Sequence, residues 1–246
     1  MEDNIIYGTR AVIEAVNEDR ELERLFIQRG INNPLVNELR ALLKKKEIVY
    51  QLVPVEKLNR IGSRNHQGVV AFLSSVSYYQ TEEILPGLFS SGKAPLLLML
   101  DRVTDVRNFG AIARTCECFG VDALIIPTRG GAQINSDAIK TSAGALHKIK
   151  VCRENNLKTT LDYLANSGLQ IVACTEKSDH YVHQVDLTLP TVIIMGSEEN
   201  GISGEYLRKA DVKVKIPMSG DIGSLNVSVA AAVIIYESIR QRTIKN

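Results

Sequence analysis

Pro95-Leu-Leu-Leu-Met-Leu-Asp101-Arg-Val-Thr-Asp105-Val-Arg-Asn108-Phe-Gly110-Ala-Ile-Ala-Arg114 contains the pattern on which the fold turns. Leu96–Leu100 is an unbroken apolar run, the mark of a strand buried on both faces rather than of one that alternates. A polar interruption follows, and from about Phe109 to Phe119 the apolar residues return at helical spacing. The same alternation continues outward. Ala123–Ile126, Lys148–Cys152, Leu169–Cys174, Thr191–Met195 and Val212–Ile216 read as further strands. Asp137–Ala145, Leu157–Ala165 and Ser203–Leu207 read as helices between them. Strands alternating with helices predict an α/β domain with a parallel sheet. The final helix, Asn226–Arg242, is apolar nearly all round, which suits burial in a core or against a partner subunit.

Upstream, a second and smaller α/β unit is expected in residues 1–75. Its pieces are a helix at Thr9–Val16, a strand at Leu25-Phe-Ile27 and a helix from Asn33-Pro34 to Lys46. That helix has an N-cap Asn and Pro at its first position. A strand at Ile48–Val53, a helix at Val55–Ile61 and a strand at Gly68–Leu73 complete it. Residues 76–94, with clustered serines, Pro86-Gly87 and Ser90-Ser-Gly92, read mainly as a linker with a short helix near Thr81–Leu88. The larger domain is then 95–246.

Composition narrows the function classes. The 246 residues are 45% apolar and 23% charged, an ordinary globular make-up. No apolar run is long enough to span a membrane, and the acidic N-terminus lacks a secretory h-region. Four cysteines (Cys116, Cys118, Cys152, Cys174) form no disulfide framework, so a cytoplasmic chain with reduced thiols is expected. With 29 Lys+Arg against 28 Asp+Glu, the net charge of +1 excludes a uniformly basic nucleic-acid binder. Cys116 and Cys118 are two apart on a helix and point to different sides, and His180-x-x-His183 has no third partner, so no metal site is expected.

Three polar interruptions follow strands, where ligands of open α/β sheets bind. The first runs from Asp101 to Arg114, and Asn108, Gly110 and Arg114 are expected close to one helix face. Arg114 suits a phosphate clamp or a developing oxyanion; the alternative is a capping Asn108 and a solvated arginine. The second is Met195-Gly-Ser-Glu-Glu-Asn-Gly-Ile-Ser-Gly204, a tight loop that brings backbone near a ligand or is a plain turn. It lacks the G-x-G-x-x-G dinucleotide spacing. The third is Ile216-Pro-Met-Ser-Gly-Asp-Ile-Gly-Ser-Leu-Asn-Val-Ser228, where Ser224 and Asn226 are good N-caps for the helix that follows.

Together the three resemble the ordered motifs of the SpoU/TrmH family of RNA ribose 2′-O-methyltransferases, in the SPOUT class. Tyr7-Gly-Thr-Arg-Ala-Val12 and Asn65-His-Gln-Gly-Val-Val70 are similar to that family's ribosomal-protein-like (L30e-type) substrate-binding domain, so the resemblance spans nearly the whole chain. Cys116 and Cys118 depart from the small apolar residues commoner in the first motif's helix. The resemblance implies a deep trefoil knot in the C-terminal domain, S-adenosyl-L-methionine as cofactor and a homodimer. It implies cofactor contacts at Gly196, Ile216, Leu225 and Thr175, and a catalytic set of Arg114, Asn108, Glu198, Ser224 and Asn226. It is closest to the branch that methylates a guanosine ribose in large-subunit (23S) rRNA. A tRNA-modifying member of the family and a non-catalytic RNA-binding or ribosome-assembly protein are the alternatives.

For RNA capture, charge is local. From Lys57 to Thr81 there is no acid, but there are Lys57, Arg60, Arg64 and His66; between Asp137 and Glu154 lie Lys140, His147, Lys148, Lys150 and Arg153. These stretches read either as solvated faces or as two basic faces that hold phosphates around a splayed-out base, with Arg60, Arg64 and His66 as RNA contacts.

Overall fold

The computed structural model describes residues 5–62 and 65–244. The chain divides into two compact units between Ser75 and Val76.

The first unit contains β1 (Ile5–Tyr7), α1 (Thr9–Asn17), β2 (Leu22–Gln28), α2 (Pro34–Lys45), β3 (Gln51–Val53), α3 (Val55–Ile61) and β4 (Val69–Leu73). Its sheet runs β1-β4-β2-β3, with β4 antiparallel to both neighbours and β3 parallel to β2. Alternation along β2 divides the core. Leu25 and Ile27 pack with Val12 and Val16 of α1 and Leu39 and Leu43 of α2, whereas Phe26 packs with Leu58 of α3. The Asn33 side chain accepts a hydrogen bond from Val36 N–H at 2.9 Å, with Pro34 at the first helical position. Strand β1 was not anticipated, because three residues carry too little periodicity to register.

The second unit holds a seven-stranded sheet in the order β11-β9-β10-β6-β7-β8-β5, and every pairing in it is parallel. Its strands are β5 (Tyr78–Tyr79), β6 (Leu96–Leu100), β7 (Ala123–Pro127), β8 (Lys150–Glu154), β9 (Gln170–Cys174), β10 (Thr191–Met195) and β11 (Val212–Val214). The helices are α4 (Thr81–Ser90), α5 (Val106–Phe119), α6 (Ser136–Thr141), α7 (Leu157–Asn166), α8 (Gly204–Leu207) and α9 (Val227–Ile244). Helices cover both faces, which explains the unbroken apolar run at Leu96–Leu100. Leu96, Leu98 and Leu100 face α5 and α9, and Leu97 and Met99 face α4 and α7. The neighbouring strands β6 and β10 lead the chain to opposite halves of the sheet, so the loops at their carboxyl ends flank a topological switch point.

Residues 76–94 are not a linker. Tyr78–Tyr79 pairs with β8, the Arg153 guanidinium lies 3.4 Å from the centre of the Tyr78 ring, and Ile84 and Leu85 of α4 enter the core. Pro86 sits inside that helix. Two anchors offset the hydrogen bond it removes: the buried pair Ile84–Leu85, and Glu154, whose Oε1 accepts from Thr81 N–H and Oγ–H at 2.8 and 2.6 Å.

Candidate active site

Helix α5 begins at Val106, three residues earlier than expected, because Asp105 caps it by accepting from Asn108 N–H at 2.7 Å. Asn108 is therefore not the cap, and its side chain is free for another partner. At 100° per residue Asn108 and Gly110 stand about 200° apart, so the expected shared face does not exist. Gly110 is buried against α6, where an added Cβ would meet Thr141 Cβ at 2.8 Å and Ala138 O at 2.9 Å. Arg114 is exposed and makes no hydrogen bond or ion pair with the described residues. Asn108 instead donates from Nδ2 to Glu198 Oε1 at 3.1 Å.

The opening of α9 supplies the third member. Asn226 Oδ1 accepts from Ser228 N–H at 2.9 Å, which caps the helix and fixes the amide's orientation. Its Nδ2 then donates to Glu198 Oε1 at 2.6 Å and to Asn108 Oδ1 at 3.0 Å. Val227 N–H adds a third donor to the same carboxylate oxygen at 3.3 Å. The loops of all three polar interruptions are thus tied at one point, the Glu198 Oε1 hub.

Beside the hub is a cleft of about 370 Å³ at the carboxyl ends of β9, β10 and β11. Thr175, Gly196, Glu198, Ile216, Ser224 and Leu225 all line it. Ser224 makes no hydrogen bond with the described residues, in contrast to the hub members. Gly196 has a structural reason to be glycine: a Cβ there would meet Gly201 C at 2.1 Å and Ile202 N at 2.3 Å. The turn 197–201 closes on itself, with Gly201 N–H donating to Ser197 O at 2.9 Å.

Sequence reasoning missed the residue that secures this turn. Asp101 is a buried acid just beyond β6. Its Oδ2 accepts from Ser203 N–H and Ser203 Oγ–H, each at 2.6 Å. Arg102 donates Nε–H to Asp101 Oδ1 at 3.1 Å, and its Nη2 reaches both Asp101 Oδ2 (3.3 Å) and Gly201 O (3.2 Å). The available signal was an acid placed immediately after an otherwise all-apolar strand.

Of the expected RNA contacts in the first unit, Arg60 is exposed on α3, and Arg64 lies outside the described residues. His66 is engaged internally. Its Nδ1 accepts from Gly68 N–H at 2.9 Å, and Nε2 lies 2.8 Å from Asn59 Oδ1. In the second basic stretch, Lys148 pairs with Glu117 at 3.5 Å and Arg153 packs on Tyr78. Cys116 is buried and Cys118 exposed, so the two cysteines do point to different sides.

The sequence profile of the SpoU rRNA methylase family matches residues 95–236, and that of the RNA 2′-O ribose methyltransferase substrate-binding domain matches residues 5–79. A Staphylococcus epidermidis protein named for the TrmH family of tRNA/rRNA methyltransferases is 35% identical over 244 residues, covering 98% of this chain and 97% of that one. Among solved structures, the SpoU methyltransferase AviRb from Streptomyces viridochromogenes, in complex with AdoMet, aligns with a TM-score of 0.63. That pair is 25% identical, with 98% of this chain and 90% of the other covered. The A. aeolicus TrmH/SpoU tRNA modifying enzyme aligns at a TM-score of 0.57 and 36% identity, over 67% of this chain and 85% of its own.

Profiles and relatives together define the class, a methyltransferase that uses S-adenosyl-L-methionine. The chain belongs to the SpoU/TrmH family of RNA methyltransferases.

The cleft suits that cofactor on its own chemistry. Met195, Ile216, Met218 and Leu225 offer apolar walls, and the close Gly196–Gly201 approach brings backbone into the lining, a combination suited to a flat base. Glu176, Glu198 and Glu199 outnumber Lys177 and Lys215 around the lining, a balance that favours a cationic sulfonium.

Proposed function

We propose that this protein methylates the ribose 2′-hydroxyl of a guanosine in large-subunit (23S) rRNA. The carrying observation is the hub, in which one carboxylate oxygen gathers Asn108, Asn226 and Val227 N–H at the mouth of the cleft. In this proposal Thr175, Gly196, Ile216 and Leu225 hold the cofactor. When bound, S-adenosyl-L-methionine supplies a methyl group already activated by its positive sulfur.

The chain's own task is to bind, align and activate a weak nucleophile. Arg114 stabilises alkoxide character and orients the neighbouring phosphate; a guanidinium offers N–H donors and no acceptor, so it is a poor base. Glu198, with Oε1 already accepting three hydrogen bonds, positions Asn108 and Asn226, and Ser224 faces the hydroxyl from the cleft. A non-catalytic protein has little physical reason to keep such a cluster.

Two further properties belong to the proposal. One is the trefoil knot of the family resemblance. It is supported by the way the loops after β10 and β11 share the lining of the cleft. The other is a homodimer through α9. Val229, Val233 and Tyr236 recur at one-turn spacing and are 48%, 37% and 56% exposed, and Phe119 of α5 meets Tyr236 edge-on at 6.1 Å. An exposed apolar stripe of this kind suits a second copy better than water. In the first unit the ribosomal-protein-like domain captures RNA, with Arg60 and Arg64 as phosphate contacts and a cytoplasmic setting.

Labelled methyl transfer into separate rRNA and tRNA pools, with the modified nucleotide mapped, tests the proposal. Label at a guanosine ribose of large-subunit rRNA is expected. Label in tRNA alone overturns the substrate, and label in neither pool overturns the activity. Arg114→Lys is expected to lose most turnover, because an ammonium cannot make the planar two-point contact.

A further inference from the structure

The first unit contains a hollow of about 510 Å³ lined by Gln28, Asn59, Gly62, Asn65, His66, Gln67 and Gly68. Among the described residues its lining has no Lys, Arg, Asp or Glu and no large apolar side chain, so a hydrophobic partner is not its natural occupant. Amides and an imidazole are groups that recognise hydrogen-bonding edges.

The geometry fixes what the hollow offers. His66 and Val69 close a tight turn, with Val69 N–H donating to His66 O at 2.8 Å. Its two central residues, Gln67 (φ +48°) and Gly68 (φ +80°), are both left-handed. Such a turn is easy for Gly68 but costs about 1 kcal/mol or more at Gln67, and strain of this kind collects where a side chain has to be aimed. Glycine suits position 68 because of its positive φ, and a Cβ there would also press on Ile31 Cδ1 at 2.4 Å. Its N–H donates to His66 Nδ1, which places the ring proton on Nε2, and Nε2 donates to Asn59 Oδ1. That second bond turns the Asn59 amide so that its oxygen faces His66 and its two N–H donors are left for a ligand. His66 is half-buried and stacks on no aromatic ring among the described residues.

We propose that this hollow receives an unstacked nucleobase of the substrate RNA, with Asn59 Nδ2 donating to a base carbonyl and His66 serving as the positioning residue and stacking surface. Single-stranded RNA is commonly recognised by this pairing of an aromatic face with hydrogen bonds to a base edge. The inference rests on the reading of RNA as substrate. It assigns base contact to Asn59 and leaves phosphate contact to the arginines.

The test uses the full chain and small probes. Side-chain amide and imidazole resonances are followed by NMR during titration with guanosine monophosphate, uridine monophosphate or ribose 5-phosphate. The nucleotides are expected to move the Asn59 amide and the His66 ring, and ribose 5-phosphate is not. Equal shifts with ribose 5-phosphate would make the hollow a phosphate site and overturn the proposal, as would no shift with any probe. Asn59→Asp, on an exposed helix position, reverses donor to acceptor. It is expected to weaken binding of the methyl-accepting RNA about fivefold, the worth of one hydrogen bond, with S-adenosyl-L-methionine affinity unchanged. An unchanged RNA affinity in that variant also overturns it. Because the titration involves no turnover, it succeeds or fails independently of whether methyl transfer is found.

Discussion

Replacing Asp101 by Asn keeps the shape of the side chain and removes its charge. In the native protein this buried carboxylate accepts two 2.6 Å bonds from Ser203 and two longer ones from Arg102. A carboxamide oxygen can keep the Ser203 pair, but as a neutral acceptor, at a loss of about 1 kcal/mol per bond. Its NH2 group then faces the Arg102 guanidinium, donor against donor. Arg102 is 43% exposed, so solvent limits that part of the loss to about 1 kcal/mol. The sum is about 3 kcal/mol. Asp101→Ala leaves Ser203 N–H without a partner as well and should cost about 3–5 kcal/mol. The loss falls on the turn 196–201, which lines the cleft proposed to hold the cofactor, so cofactor affinity should drop with stability. Urea unfolding reports the first quantity and titration calorimetry with S-adenosyl-L-methionine the second. Arg102→Ala, which removes only the exposed half of the latch, should cost about 1 kcal/mol. An Asp101→Asn protein within 0.5 kcal/mol of wild type, with undiminished cofactor affinity, would refute this reasoning.

Two other expectations concern different parts of the second unit. Burial pushes the thiols of Cys152 and Cys174 up from 9.0 to about 12, and raises that of Cys116 further, whereas Cys118 is exposed. Iodoacetamide at pH 8 should therefore label Cys118 first, and fast labelling at Cys116 or Cys152 would contradict their burial. The sign of the linkage follows: the folded form keeps protons that unfolded thiols release, so this contribution is intact below pH 9 and is lost as pH rises towards 12. At the far end of α9, Arg242 donates to the carbonyls of Ala94, Pro95, Leu187 and Leu189 at 2.5–3.3 Å. Arg242→Lys should lower stability by about 2 kcal/mol in urea unfolding, since one ammonium cannot reach four carbonyls arranged around a planar fork.

The α/β class and most elements were legible in the sequence because burial on both faces leaves unbroken apolar runs. The exceptions have physical causes. Residues 76–94 carry serines, Pro86 and Gly87, yet two buried side chains and one glutamate hold them as strand and helix. The cap of α5 lay at Asp105, and Asn108 was released by it for the hub. The hub itself joins residues 90 and 118 positions apart, a distance that local periodicity cannot bridge. The motif residues were visible one by one, but their mutual hydrogen bonds were not. Asp101 escaped because a single acid after a strand reads as a loop residue until Ser203 is seen above it.

Those same separations have a consequence for the protein as it is made. The first unit ends at Ser75 and has its own core, so it can fold while the remainder is still being synthesised. Asn108 leaves the ribosome long before Glu198, and Glu198 before Asn226. Until Asn226 and the start of α9 arrive, the glutamate has only part of its ring of donors and the cleft lacks one wall. A nascent chain therefore completes its first folded unit well before the cleft beside the hub exists.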